Sequence, residues 1–169
     1  MFAIETGAAS NLYRVVLLVH LLLSIAGFGG VLLNGVYAAK AKQRQGLEGL
    51  AISEANYGVS GIAEVLILLV PVSGLALVWA SGGAWALSDL WVWLSIALFA
   101  AAFAVSRAVL MPGHRRVNGL LTELVGDSPK DPAAQVAEVD RIGRTMGMAG
   151  GALNLLLVAI IVLMIWKPV

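Results

Sequence analysis

Cysteine is absent from all 169 residues, which excludes disulfides, thiolate metal sites and thiol catalysis and leaves the redox compartment unmarked. Charge is scarce as well: Asp, Glu, Lys and Arg make up 12% of the chain, against roughly 25% in soluble domains. Histidine occurs twice, and only one of the two falls inside an apolar run, which excludes a metal cluster. No glycine-rich nucleotide loop appears, and no nucleophile stands at motif spacing from a general base, so no catalytic residue is assigned. What is present is apolar: 60% hydrophobic residues and a mean hydropathy of +0.90 describe a membrane chain.

The apolar residues fall into four runs of about one bilayer thickness, for which roughly 20 predominantly apolar residues suffice. They lie at about 12–38, 57–80, 90–111 and 145–167, and a polar segment, 114–144, separates the last two. The expected fold is all-α, a polytopic membrane protein built as a four-transmembrane-helix bundle in a single membrane domain over 1–169. Ser10 and Asn11 are candidate N-caps for the first helix, which runs on into Lys40, Lys42 and Arg44. The start has no basic cluster, so the first span reads as an uncleaved signal anchor. Gly46 and Gly49 break the pattern, and 47–56 reads as a short interfacial connection. Pro71 should kink the second helix, Ser88 and Asp89 should cap the third, and Pro112 with Gly113 should end it. Val117, Leu120, Leu121 and Leu124 recur at helical spacing, which predicts an amphipathic helix after that stop. Asp131 followed by Pro132 restarts a helix that runs into the fourth span, with Asp140 and Arg144 as an i, i+4 pair.

Orientation follows from the distribution of basic residues. The first connection carries three Lys or Arg, the second none, and the segment from Arg115 to Arg144 five. Positive-inside placement puts the first and third connections in the cytoplasm and both termini outside, in a bacterial-type cytoplasmic membrane. Trp79, Trp85, Trp91, Trp93 and Trp166 then gather at the outer interface, where an aromatic belt belongs. The expected partners are the lipid bilayer and either other membrane subunits or further copies of the chain. The basic residues are interleaved with acids, which argues against nucleic acid.

A few polar groups interrupt the apolar runs, and each is costly there. Glu64 lies about 10 Å, and Arg107 about 8 Å, from the basic end of their helices by the helical rise, so equal depth makes them a candidate pair. His20 sits about 12 Å below the other end of the first span, on a face shared with Ser24, Gly27 and Asn34. It reads either as a neutral histidine bonded to Ser24 or to a carbonyl of a neighbouring helix, or as a ligand to haem or a metal. Asn154, Ser24 and Asn34 read as interhelical hydrogen-bonding groups, and the spacings Gly27 to Gly30 and Gly147 to Gly150 as packing features. LSIAGF at 23–28 is similar to LSIALF at 94–99, and GIAEVLILLV from Gly61 to GALNLLLVAI from Gly151. Such a repeat makes Glu64 and Asn154 equivalent positions that face each other.

HLLLSIAGFGG, from His20 to Gly30, resembles the first-helix pattern of the HemJ-type protoporphyrinogen oxidases, the CopD copper-resistance domain and a related branch of predicted integral membrane proteins. The closing IWKPV, with Lys167 and Pro168, resembles the HemJ-type ending. The resemblance implies a shared four-helix bundle and His20 as a candidate ligand of haem b. Ser95 stands where the HemJ-type pattern has lysine, and Gly150 and Gly151 where it has asparagine and glutamate, so the resemblance points to the uncharacterised branch and away from the oxidase. Three functions are carried forward: an accessory subunit of a membrane complex, haem-linked through His20; a proton-coupled carrier or channel using Glu64, Arg107 and Asn154; and a tetrapyrrole-directed oxidoreductase.

Overall fold

The computed structural model describes residues 6–44, 46–126 and 131–168, and they are entirely helical outside short turns. The helices are α1 (Asn11–Gln43), α2 (Leu47–Ala80), α3 (Leu90–Val105), α4 (Met111–Val125) and α5 (Pro132–Trp166), with a π turn at Ser106–Leu110 joining α3 to α4 without a break. Four helical runs are therefore long and apolar enough to cross a membrane: α1, α2, the composite Leu90–Val125, and α5. Ser10 Oγ caps α1 by accepting from Tyr13 N, and Asp131 caps α5 by accepting from Ala134 N. Asp89 precedes α3 as expected, but its carboxylate turns back to accept from Ala86 N in the preceding loop.

Two breaks expected from the sequence are absent. The stretch 47–56 is not a connection but the first turns of α2, which passes uninterrupted through Pro71. Gly49 works there as a contact residue: a Cβ would collide with the Arg44 carbonyl oxygen, so only glycine lets the turn fold back on the helix. Pro112 and Gly113 likewise fail to end the third helix. A proline ring clashes with the carbonyl four residues earlier and lacks a donor. The widened turn just before it, in which Met111 N bonds Ser106 O, absorbs the mismatch. Gly113 then admits Met146 of α5, whose Sδ would lie 2.6 Å from a Cβ at that position.

Packing is organised as two hairpins. α1 lies along α2, and α5 lies along α3 and α4, while contacts between the hairpins are sparser. The α1–α2 contact is set by small residues. A Cβ on Gly27 would come within 2.8 Å of Ile67 Cγ1 and 3.2 Å of Ile67 N, and one on Gly30 within 2.9 Å of Ala63 Cβ. Gly147 and Gly150, by contrast, meet nothing within 4 Å. The protein interior is correspondingly small-residue-rich and polar, with Ala63, Ala80, Ser73, Ser81 and Ser95 buried, while Ile25, Leu155 and Ile165 are exposed. That inversion is what a lipid solvent allows, because apolar side chains need no burial there.

The two ends differ in chemistry. At one end Lys42 pairs with Asp140 at 3.0 Å and Arg116 with Glu138 at 3.1 Å, tying α1 and α4 to α5. Asp140 thus meets Lys42 instead of Arg144, because an interhelical partner lies closer than the one expected a turn along its own helix. At the other end Gly7 N bonds Ala80 O, and the Lys167 ammonium sits 3.7 Å from the Trp85 ring, which meets Trp91 edge-on. Burial holds the Lys167 pKa below the ordinary lysine range. Gly27→Ala should lower the melting temperature in detergent, with a cost of about 1–3 kcal/mol for a forced fit. Gly29→Ala, which meets open space, should leave it unchanged; equal melting of the two variants would show that the close approach is not needed.

Candidate functional site

Polar groups inside the spans gather in two layers. The first, nearer the tryptophan end, is built on His20. The ring lies between α1 and α2, 5% exposed, with Gly74 against its Cε1. His20 Nδ1 lies 2.9 Å from Ser73 Oγ, which also lies 2.8 Å from Val70 O, so the ring is hydrogen-bonded to α2 through Ser73. The partner is therefore Ser73, whereas Ser24 Oγ donates to the His20 backbone carbonyl of its own helix. The ring is 5% exposed among the described residues and packs between α1 and α2. His20 is thus a buried, hydrogen-bonded residue of the α1–α2 contact.

The second layer surrounds a central cavity of about 80 Å³, room for a few water-sized molecules. All four spans line it, with Asn34 from α1, Ser60 and Glu64 from α2, Ser106 and His114 from the composite third helix, and Asn154 from α5. Asn34 Oδ1 lies 3.1 Å from Ser60 Oγ, which also reaches the Asn56 carbonyl. Arg107 Nη1 lies 2.9 Å from Glu64 Oε1, but no N–H of the guanidinium points along that line, so the contact is ionic without a directed hydrogen bond. The Glu64 side chain is 16% exposed and that of Arg107 56%, so the carboxylate belongs to the interior and the cation to its rim. Phe103 lies under the guanidinium, 5.7 Å from ring centroid to Cζ.

Of the residues singled out in the sequence, Asn34, Glu64 and Asn154 come together on the cavity wall, and Arg107 reaches Glu64 from beside it. His20 and Ser24 lie apart, in the other layer. Sequence reasoning passed over His114, Ser60 and Asn56. A usable signal was present: Phe99, Phe103, Ser106, Leu110 and His114 recur every three or four residues and all line the cavity. Reading Pro112 as a stop cut that face short. Toward the basic end, the His114 ring lies 6.3 Å from the Tyr57 ring, and Arg115 Nε donates to Tyr57 Oη at 3.2 Å. Ser53 bonds Asn118 in the same region. Asn56, 3% exposed, has no partner for its Oδ1. Among the described residues no three His, Asp or Glu side chains could jointly hold a metal ion.

The fold and these layers define an integral membrane protein of four helical spans. The chain belongs to a family of predicted integral membrane proteins, DUF2269, which it matches over residues 14–168. No curated protein and no solved structure matches it.

Two outcomes follow from the His20 geometry. Ser73→Ala removes the hydroxyl that His20 Nδ1 meets in the interior and should lower the melting temperature, since an unpaired buried polar group costs about 1–3 kcal/mol. Titration of the purified protein with hemin should give no Soret shift that His20→Ala removes; a His20-dependent shift would show that the ring opens to a porphyrin.

Proposed function

We propose that this protein is a proton-coupled carrier or channel whose polar path uses Glu64, Arg107 and Asn154, and that its single membrane domain acts within a bacterial-type cytoplasmic membrane. The observation that carries the reading is the Glu64 carboxylate, held inside the bundle on a cavity it shares with Asn34 and Asn154, with Oε1 lacking any directed hydrogen bond. An ionisable group within a span is costly, and a purely architectural ion pair gains most when its hydrogen bonds are complete. Here the carboxylate meets Arg107 at 2.9 Å and its residue lines a cavity between the spans, a place where a proton-exchanging group can act. The cavity holds a few waters and no large organic substrate, which agrees with proton or small-solute traffic and not with a tetrapyrrole. The accessory-subunit reading through a haem on His20 has less to stand on, because that ring is enclosed.

The orientation in this reading puts the basic end in the cytoplasm and both termini outside. Because the chain has no cysteine, single cysteines report directly. An impermeant maleimide added to intact cells should label Ala84→Cys, in the exposed turn between α2 and α3, and spare Ala133→Cys at the start of α5. The opposite pattern would invert the topology. For function, the protein in sealed liposomes containing a pH-sensitive dye, with a potassium–valinomycin potential, should admit protons. Glu64→Gln should reduce that flux about tenfold or more, the scale on which removing a proton-transfer group acts, while the variant melts near the parent. Absence of flux from the parent protein, or an undiminished flux in Glu64→Gln, would overturn the reading.

A further inference from the structure

We propose that His114 is the proton relay between the Glu64 cavity and the basic end of the bundle; the inference rests on the carrier reading above. His114 is 9% exposed and lines the same cavity as Glu64, so its imidazole is enclosed by protein yet open to the interior space. Its position comes from the continuity of the third helix. Had the chain stopped at Pro112, His114 would lie in a surface loop; the π turn instead carries it onto the cavity face, two turns beyond Ser106.

From His114 the polar groups continue outward. Tyr57 lies beside the ring, and its hydroxyl accepts from Arg115, whose guanidinium is fully exposed. Inward, the cavity has room for the water that must span the gap, since Glu64 stands seven residues, about 10 Å, beyond Tyr57 along α2. Imidazole suits this place because it can accept a proton at one ring nitrogen and release one from the other. In the inward step a hydronium at the basic end protonates the lone-pair nitrogen of His114. The imidazolium then gives its other proton to cavity water, and that water delivers one to the Glu64 carboxylate. Each transfer forms one N–H or O–H bond as it breaks another, and the ring returns neutral as the other tautomer. The outward step is the reverse.

The groups that face His114 are compatible with a ring that changes charge. α2 contributes Tyr57 and Glu64, and the π turn contributes Arg107, already beside Glu64. α1 and α5 bring only Asn34 and Asn154 as polar groups to the cavity wall. Glu138, on the adjoining stretch of α5, is paired with Arg116. α4 itself contributes Arg115, a cation bonded to Tyr57 with its guanidinium exposed at the basic end, where solvent screens its effect on the ring.

The test uses the full chain in the same dye-loaded liposomes. His114→Ala should lose most of the proton flux, about tenfold or more, and free imidazole supplied to both faces should restore a substantial part of it. Imidazole should not restore Glu64→Gln. Flux in His114→Ala equal to the parent overturns the relay, and so does a loss that imidazole leaves unrepaired, which marks a structural role. If His114→Ala does not purify folded, His114→Gln is read in its place: flux that is lost, or that no longer varies across the histidine range of about pH 6 to 7, supports the relay, and an unaltered flux and pH profile overturns it. A parent flux that needs Glu64 but not His114 defeats this inference alone. A parent protein without flux defeats the carrier reading and the relay together.

Discussion

The rest of the structure depends on how closely α1 approaches α2. Lipid tails are as apolar as leucine side chains, so helices in a bilayer gain little from burying apolar surface and associate through close packing and polar contacts. Gly27 and Gly30 supply the closeness, against Ile67 and Ala63. The same approach brings His20 to Ser73 and Asn34 to Ser60, on either side of the crossing. A side chain at Gly27 would press on backbone as well as on a movable side chain, so neither polar contact could form at its present distance.

The second hairpin meets the first less tightly. The cavity occupies the space between them, and the polar groups that a membrane would penalise on an outer face are turned toward it. Glu64 is the most costly of these. Its neutralisation by Arg107 comes from the rim, through a cation that remains largely uncovered by protein and rests over Phe103. A carboxylate so placed is compensated in charge by a cation from outside the cavity wall.

The composite third helix joins the membrane layer to the basic end. Its π turn lets a proline stand within an unbroken helix, so α4 continues directly from the span and packs on α5 through the Gly113–Met146 contact. Ion pairs from Lys42 and Arg116 then fasten this end to α5. The amphipathic segment is therefore an extension of the bundle, with polar residues of α4 paired to α5.

Apolar run length sufficed for the four spans, and local chemistry for the Ser10 and Asp131 caps, because both depend on neighbouring residues alone. The depth of Glu64 and Arg107 was likewise legible, since helical rise converts residue number into height. Whether a helix broke was not: Gly49 and Pro112 carry breaking propensities, and only contacts with the Arg44 carbonyl and the π turn decided that the helices run through them. Azimuth was also beyond reach. His20 could be placed at a depth but not against Ser73, and Asp140 chose Lys42 over Arg144 because the partner lies on another helix. His114 shows both limits at once. Its place on the cavity wall requires a helix that survives Pro112 and a rotation set by packing on α5, and neither is encoded within one stretch of chain.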